Sequence, residues 1–408
     1  MWSSTPAETL TTRNAAIMWA VLITGVTPSR HIRLNSLTGL RFYAAIVVVV
    51  HHVTREVAPV PLVTPMFLLG GVGVGFFFVL SGFVLAWSHK STEKDSTFYR
   101  HRFARIYPLV AVTWTIGLLI LATQDNLPSL PVAITSVVLL QAWVPALPFL
   151  NGINGPSWSL SCEAFFYALM PALHRSLNQR SNRSLAVICL VALAIAALVA
   201  AILRIVVGGD LVALFLYMNP IYRLWEFIIG IALALLLRRG GLPRVRMPLA
   251  ASAVLAAFAC LSVLNIAITR DVGVFANLPF NSLPTDIASV LISPLCGLLI
   301  VAAAQADLDE RPSHLRSRVM TQLGTWSFSL YMTHMLVILA VRPLVPANLP
   351  TVASVSLALG LIAGSVAVSW FAYRVVEHPL ERLLRAPRTR YQNPRGGIST
   401  ETTNEPSL

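Results

Sequence analysis

LTGLRFYAAIVVVVHHV, residues 37–53, is apolar enough to lie inside a membrane, yet it carries Arg41 near one end and His51-His52 at the other. Read as a helix, the stretch returns Arg41 and His52 to nearly the same face at ~100° per residue, with ~16 Å of rise between them. His51 points well away from that face. A charged arginine within a membrane helix costs at least ~2.5 kcal/mol, so it needs a partner or a wet cavity. Two readings fit these residues alone. Either Arg41 and His52 belong to a site, or Arg41 snorkels to the headgroups while the histidines mark the other interface.

The 408-residue chain is 56% hydrophobic and only 12% charged. Soluble domains carry roughly twice that charged fraction, so the fold class is all-α, a polytopic membrane bundle with the lipid bilayer as its solvent. The net charge of +13 reads as loop charge and not as a nucleic-acid surface. Cys162, Cys189, Cys260 and Cys296 lie in apolar runs without metal or disulfide spacing, and are expected to be small core residues.

Ten spans are expected, at 36–54, 66–87, 104–123, 158–173, 184–207, 212–237, 247–268, 285–304, 323–341 and 351–375. Residues 1–35 form a cytoplasmic lead, 36–385 a membrane domain, and 386–408 a disordered cytoplasmic tail rich in Pro, Gly, Ser and Thr. The run Val132–Val144 is short and bounded by Pro131 and Pro145. If it does not span, the basic loops (around Arg30, Arg100–Arg105, Arg175–Arg183, Arg238–Arg246 and Arg311–Arg318) share one side, leaving Arg55, Arg270 and Arg342 on the other. The positive-inside rule then places both termini in the cytoplasm and the chain in the cell inner (plasma) membrane.

Several polar groups lie within the spans. Glu163, in NGPSWSLSCEAFFY (154–167), is expected in the outer half at the depth of His52, as an acid partner to a base. A structural His–Glu or Glu–Arg pair is the alternative. Arg223 and Glu226 in YRLWEF are three apart, which favours a local ion pair over a substrate contact. Tyr331 and His334 in FSLYMTH share the outer half of another span. Arg102 and Arg105 in FYRHRFARIYP stand at the start of the third span, where guanidinium forks suit phosphate, or anchor the helix to headgroups. GGVGVGFFFVLSGF (70–83) lacks the Lys of a phosphate loop and suits close helix packing.

In order along residues 33–385, these segments resemble acyltransferase family 3, integral-membrane O-acyltransferases that move acetyl or longer acyl groups onto sugars, polysaccharides and antibiotics. The resemblance rests on LTGLR with His52, FFFVLSGF, RFARIYP, WSLSCE, RLWEFIIG, FSLYMTH and VEHPLER. It implies His52 as the catalytic group, Arg41 as essential for donor handling, and Arg102 and Arg105 as the acyl-CoA region. Glu163 belongs to the family's strongest motif. Trp158, Ser161, Arg223, Glu226, Tyr331 and His334 are expected to face substrate. Two departures are Ala164, where many members have a second acid, and His378, where an Arg is common.

The implied reaction moves an acyl group, with acetyl expected, from acyl-CoA to a hydroxyl on a sugar, polysaccharide or macrolide-like acceptor. His52 would act as base, or as acyl relay in a ping-pong mechanism, with Glu163 orienting it. No metal and no cofactor beyond the donor are expected, and no esterase-like domain after the membrane part. A proton-coupled exporter would use buried His, Glu and Arg equally well. It would not release CoA. A reporter fused after Pro148 is expected to read as external and one after Gln179 as cytoplasmic; both reversed would make Val132–Val144 a true span.

Overall fold

The computed structural model describes residues 34–90, 92–270 and 282–385, and among these it is helical without strands. The expected lead and tail lie outside the described residues, apart from Leu34 and Asn35. The principal helices are α1 (Asn35–Glu56), α2 (Val72–Ser88), α3 (Asp95–Thr123), α4 (Leu130–Val137), α5 (Trp158–Asn178) and α6 (Asn182–Val206). They continue with α7 (Pro220–Arg238), α8 (Met247–Thr269), α9 (Thr285–Leu308), α10 (Arg318–Val341), α11 (Thr351–Ala372) and α12 (His378–Arg385). Nine helical stretches among the described residues are long and apolar enough to cross a membrane. The fourth expected span, α5, is 21 residues long but is not one of these; it carries Ser159, Ser161, Glu163, His174 and Arg175.

Contacts between loops define the two ends of the bundle. At the basic end, Arg175 pairs with Asp95, Arg239 donates to the Asn178 and Arg180 carbonyls, and Arg244 meets Asp309. There too, Asp307 of α9 accepts from the backbone N–H and hydroxyl of Ser36, at 2.7 Å each, and so caps α1 from another helix. At the opposite end, Arg342 meets Glu56 and the Ser262 hydroxyl donates to the Met66 carbonyl. The run Val132–Val144 does not span: it is the short α4 followed by a single 3₁₀ turn, Gln141–Trp143. Cys162 and Cys296 are buried as expected, whereas Cys260 lies exposed on α8.

The chain before α5 turns inward. Pro156, Ser157 and Trp158 are all buried, the Asn154 amide donates to the Met332 carbonyl, and the Tyr331 hydroxyl reaches the Pro156 carbonyl. Helix α5 therefore starts deep inside the bundle, at the level of Tyr331, instead of at its rim.

Two close approaches hold α1, α2, α7 and α10 together. A Cβ added at Gly230 of α7 would lie 2.1 Å from the Val79 carbonyl oxygen of α2. One at Gly324 of α10 would lie 1.8 Å from the Thr38 carbonyl oxygen of α1. Small residues at such crossings bring backbones into contact where lipid offers no hydrophobic drive for association. Gly230→Ala and Gly324→Ala should each cost at least about 1–3 kcal/mol, because the opposing atoms are backbone and cannot rotate away. Gly360→Ala, with nothing within 4 Å of the new methyl, should be neutral or stabilising. Thermal unfolding of the purified proteins in detergent would separate the two classes.

Candidate functional site

Near the basic end, α1, α2, α3, α5 and α10 enclose a cavity of about 100 Å³. Its polar wall consists of Arg41, Ser81, Arg102, Arg105, Ser159, Glu163, Tyr167, Ser327 and Tyr331, with Val74, Phe77 and Phe78 on the apolar side. Glu163 faces Arg41, Arg102 and Tyr167, and Tyr167 in turn lies against Ser81.

The three arginines are treated differently. Arg105 is committed: its Nη1 donates to Glu377 and, at 3.0 Å, to Glu381, while its guanidinium lies 5.5 Å from the Phe328 ring centre. A π-turn at Tyr373–Glu377 brings Glu377 inward, where Ser329 also donates to it. Arg41 and Arg102 have no carboxylate within 4 Å among the described residues. Arg102 lies over Phe98 and Tyr167, at 5.8 and 6.0 Å, and its buried Nε has no hydrogen-bond partner. Buried guanidinium N–H groups left open at a cavity favour an anionic ligand.

His52 lies farther along α1. Its Nδ1 is 3.0 Å from the Val48 carbonyl and 3.2 Å from Nε2 of His334, on α10. His51 faces elsewhere, with Nδ1 2.7 Å from the Phe67 carbonyl. Tyr331 joins the two regions: it lines the cavity, and its ring centre is 6.0 Å from that of His334.

This arrangement corrects several sequence-based placements. Glu163 is not beside His52. Because α5 starts inside the bundle, Glu163 falls at the depth of Arg41, and His334 takes the place beside His52. Arg223 and Glu226 are wholly buried and paired at 2.8 Å, with Arg223 between the Phe78 and Tyr217 rings and Ser293 donating to Glu226. They tie α7 to α2 and α9 and do not line the cavity. Trp158 is buried against Phe78 and Tyr217, and Ser161 is buried with its hydroxyl unpartnered; Ser159 lines the cavity instead. Sequence reading passed over Tyr167, Ser81 and Glu377. Tyr167 stands four residues from Glu163, a helical spacing that was available as a signal.

A second cavity, about 400 Å³, is lined almost wholly by apolar residues such as Val72, Phe76, Phe258 and Ile292, with Tyr43, His314 and the Cys296 thiol as its polar side chains among the described residues.

The acyltransferase 3 family, described as an acyltransferase domain, matches residues 34–374. The chain belongs to this family. It is 34% identical to the acyltransferase MdmB of Streptomyces mycarofaciens, over 88% of this chain and 94% of that protein. It is 29% identical to the exopolysaccharide production protein ExoZ of Rhizobium meliloti, over 79% of this chain and 93% of that protein. It is 23% identical to the peptidoglycan O-acetyltransferase OatA of Listeria monocytogenes, over 85% of this chain and 56% of that protein. No solved structure matches. The protein is therefore a membrane enzyme that transfers acyl groups.

The buried Arg223–Glu226 pair yields a separate test. Arg223→Met alone leaves an uncompensated carboxylate and should cost roughly 3–5 kcal/mol, whereas Arg223→Met with Glu226→Leu should recover most of that loss. Thermal unfolding would show it. If the double variant is stable yet its donor KM is strongly raised, the pair contacts substrate after all.

Proposed function

We propose that this acyltransferase moves an acyl group, acetyl in the first instance, from acyl-CoA to a hydroxyl of a carbohydrate or secondary metabolite. The observation that carries the reading is the pair of guanidinium groups, Arg41 and Arg102, open to an intramembrane cavity without carboxylate partners. Such a cavity suits the phosphates of a donor better than it suits a proton pathway. The named relatives include an exopolysaccharide production protein and a peptidoglycan O-acetyltransferase, which supports a hydroxyl-bearing sugar as acceptor. The basic end would face the cytoplasm, with both termini there and the bundle in the inner membrane. Acyl-CoA would approach from that side.

On this reading the nucleotide stays at the basic end near Arg102, and the thin pantetheine arm passes Arg41 toward His52. Glu163 and Tyr167 line the same wall as Arg41 and bias its charge. Arg105, already neutralised by Glu377 and Glu381, shapes the wall and contributes less to phosphate binding. His52 takes the acceptor hydroxyl's proton at Nε2 as the oxygen attacks the thioester carbon. The C–S bond then breaks, and CoA leaves as the thiol with the proton returned from His52.

Purified protein with acetyl-CoA should release free CoA. Arg102→Ala should raise the donor KM roughly tenfold or more, with a smaller rise for Arg105→Ala. His52→Ala should lower kcat by roughly 10²–10⁴ with donor binding intact. An unchanged donor KM in Arg102→Ala, or loss of donor binding in His52→Ala, would rule out the threaded arrangement.

A further inference from the structure

The two facing histidines carry a more specific assignment. Nδ1 of His334 lies 3.1 Å from the carbonyl of Leu330, four residues earlier on its own helix. His52 repeats the motif with Val48 on α1. A carbonyl only accepts, so in each neutral ring Nδ1 carries the hydrogen and Nε2 holds a bare lone pair. The lone pair of His334 is then directed at the Nδ1–H of His52, 3.2 Å away, with the ring centres 5.1 Å apart. His52 Nδ1–H is shared between the Val48 carbonyl and His334 Nε2, and His52 Nε2 has no partner among the described residues. His334 is fully buried, and no carboxylate pairs with either ring among the described residues.

We infer that His334 is the positioning residue for His52, the neutral counterpart of the carboxylate that orients histidine in other acyl-transfer sites. The inference rests on the reading of His52 as the base. Two acceptors on one N–H fix the plane of the ring and hold its Nε2 in one direction. When His52 takes the hydroxyl proton, the same N–H becomes a cationic donor, and its bond to His334 strengthens at the moment charge develops. A neutral acceptor does this without burying a standing charge within the span, where an anion would be costly.

The test uses the full chain in detergent or nanodiscs. CoA release from acetyl-CoA is followed with water or a methyl glycoside as acceptor, at matched protein levels and thermal midpoints. His334→Leu removes the acceptor and should lower kcat roughly 10- to 100-fold with donor KM within about twofold. His334→Gln, whose amide oxygen can accept the same N–H, should recover most of the rate. Nitrogen NMR of histidine-labelled protein should show a coupling between the two ring nitrogens across the hydrogen bond, lost in His334→Leu. Equal losses in Leu and Gln, full activity in Leu, or no coupling in the unaltered protein would overturn the inference. Wild-type turnover in His52→Ala would instead remove its foundation, the base reading itself.

Discussion

A guanidinium inside a dry helical bundle must be given a counter-charge or a ligand, and this molecule handles its interior arginines in both ways. Arg223 has Glu226, Arg204 has Asp286, and Arg105 has Glu377 with Glu381. The first pair lies within α7 and reaches α9 through the Ser293 hydroxyl; the others join α6 to α9, and α3 to the turn after α11 and to α12. Among the described residues, Arg41 and Arg102 are left without such partners. Their N–H groups instead face a shared cavity, with Glu163 the nearby acid. Structure and site are thus set by one constraint applied twice: paired arginines are neutralised within or between helices, and those without a carboxylate partner mark where an anion belongs.

The constraint also separates residues that look alike in sequence. Arg102 and Arg105 are one helical turn apart and equally plausible as phosphate ligands. What distinguishes them is Glu377, which arrives from more than 270 positions away because a π-turn rotates it inward. One extra residue in a turn rotates the side chains after it by ~100°, so the register after α11 decides how available Arg105 is.

Much of the fold was legible, because helix period and apolar length are local properties. The shared face of Arg41 and His52, the different direction of His51 and the short, non-spanning Val132–Val144 run all follow from spacing along a single segment. Depth was not legible for α5. Counting inward from the rim puts Glu163 level with His52, but the helix begins within the bundle, tethered by Asn154 to Met332 and by Tyr331 to Pro156. These contacts join positions more than 170 residues apart, and no pattern within WSLSCE announces them. His334 failed to stand out for the same reason. A lone histidine on an apolar helix reads as packing until the α1–α10 crossing, made close by Gly324 against Thr38, brings it to His52.

Between the two polar regions α1 is dry: Ala45, Val48 and Val49 are buried, and Phe77 packs edge-on against Tyr331. The cavity's charged groups are therefore at the Arg41 end, and the charges near His52 are the Arg55, Glu56 and Arg342 groups at the rim of the bundle. The two imidazoles add no charge of their own, because each donates Nδ1–H to its own helix and keeps a lone pair for use. A buried carboxylate beside His52 would have needed a cation drawn inward from the rim, where Arg55 and Arg342 already meet Glu56. Placing Glu163 near Arg41 and Arg102 instead keeps the acid at the end where the cavity's guanidinium groups lie. On the proposed reading, the division matches the donor itself, whose anionic phosphates and neutral, slender thioester arm are joined over a distance comparable to the ~16 Å between Arg41 and His52.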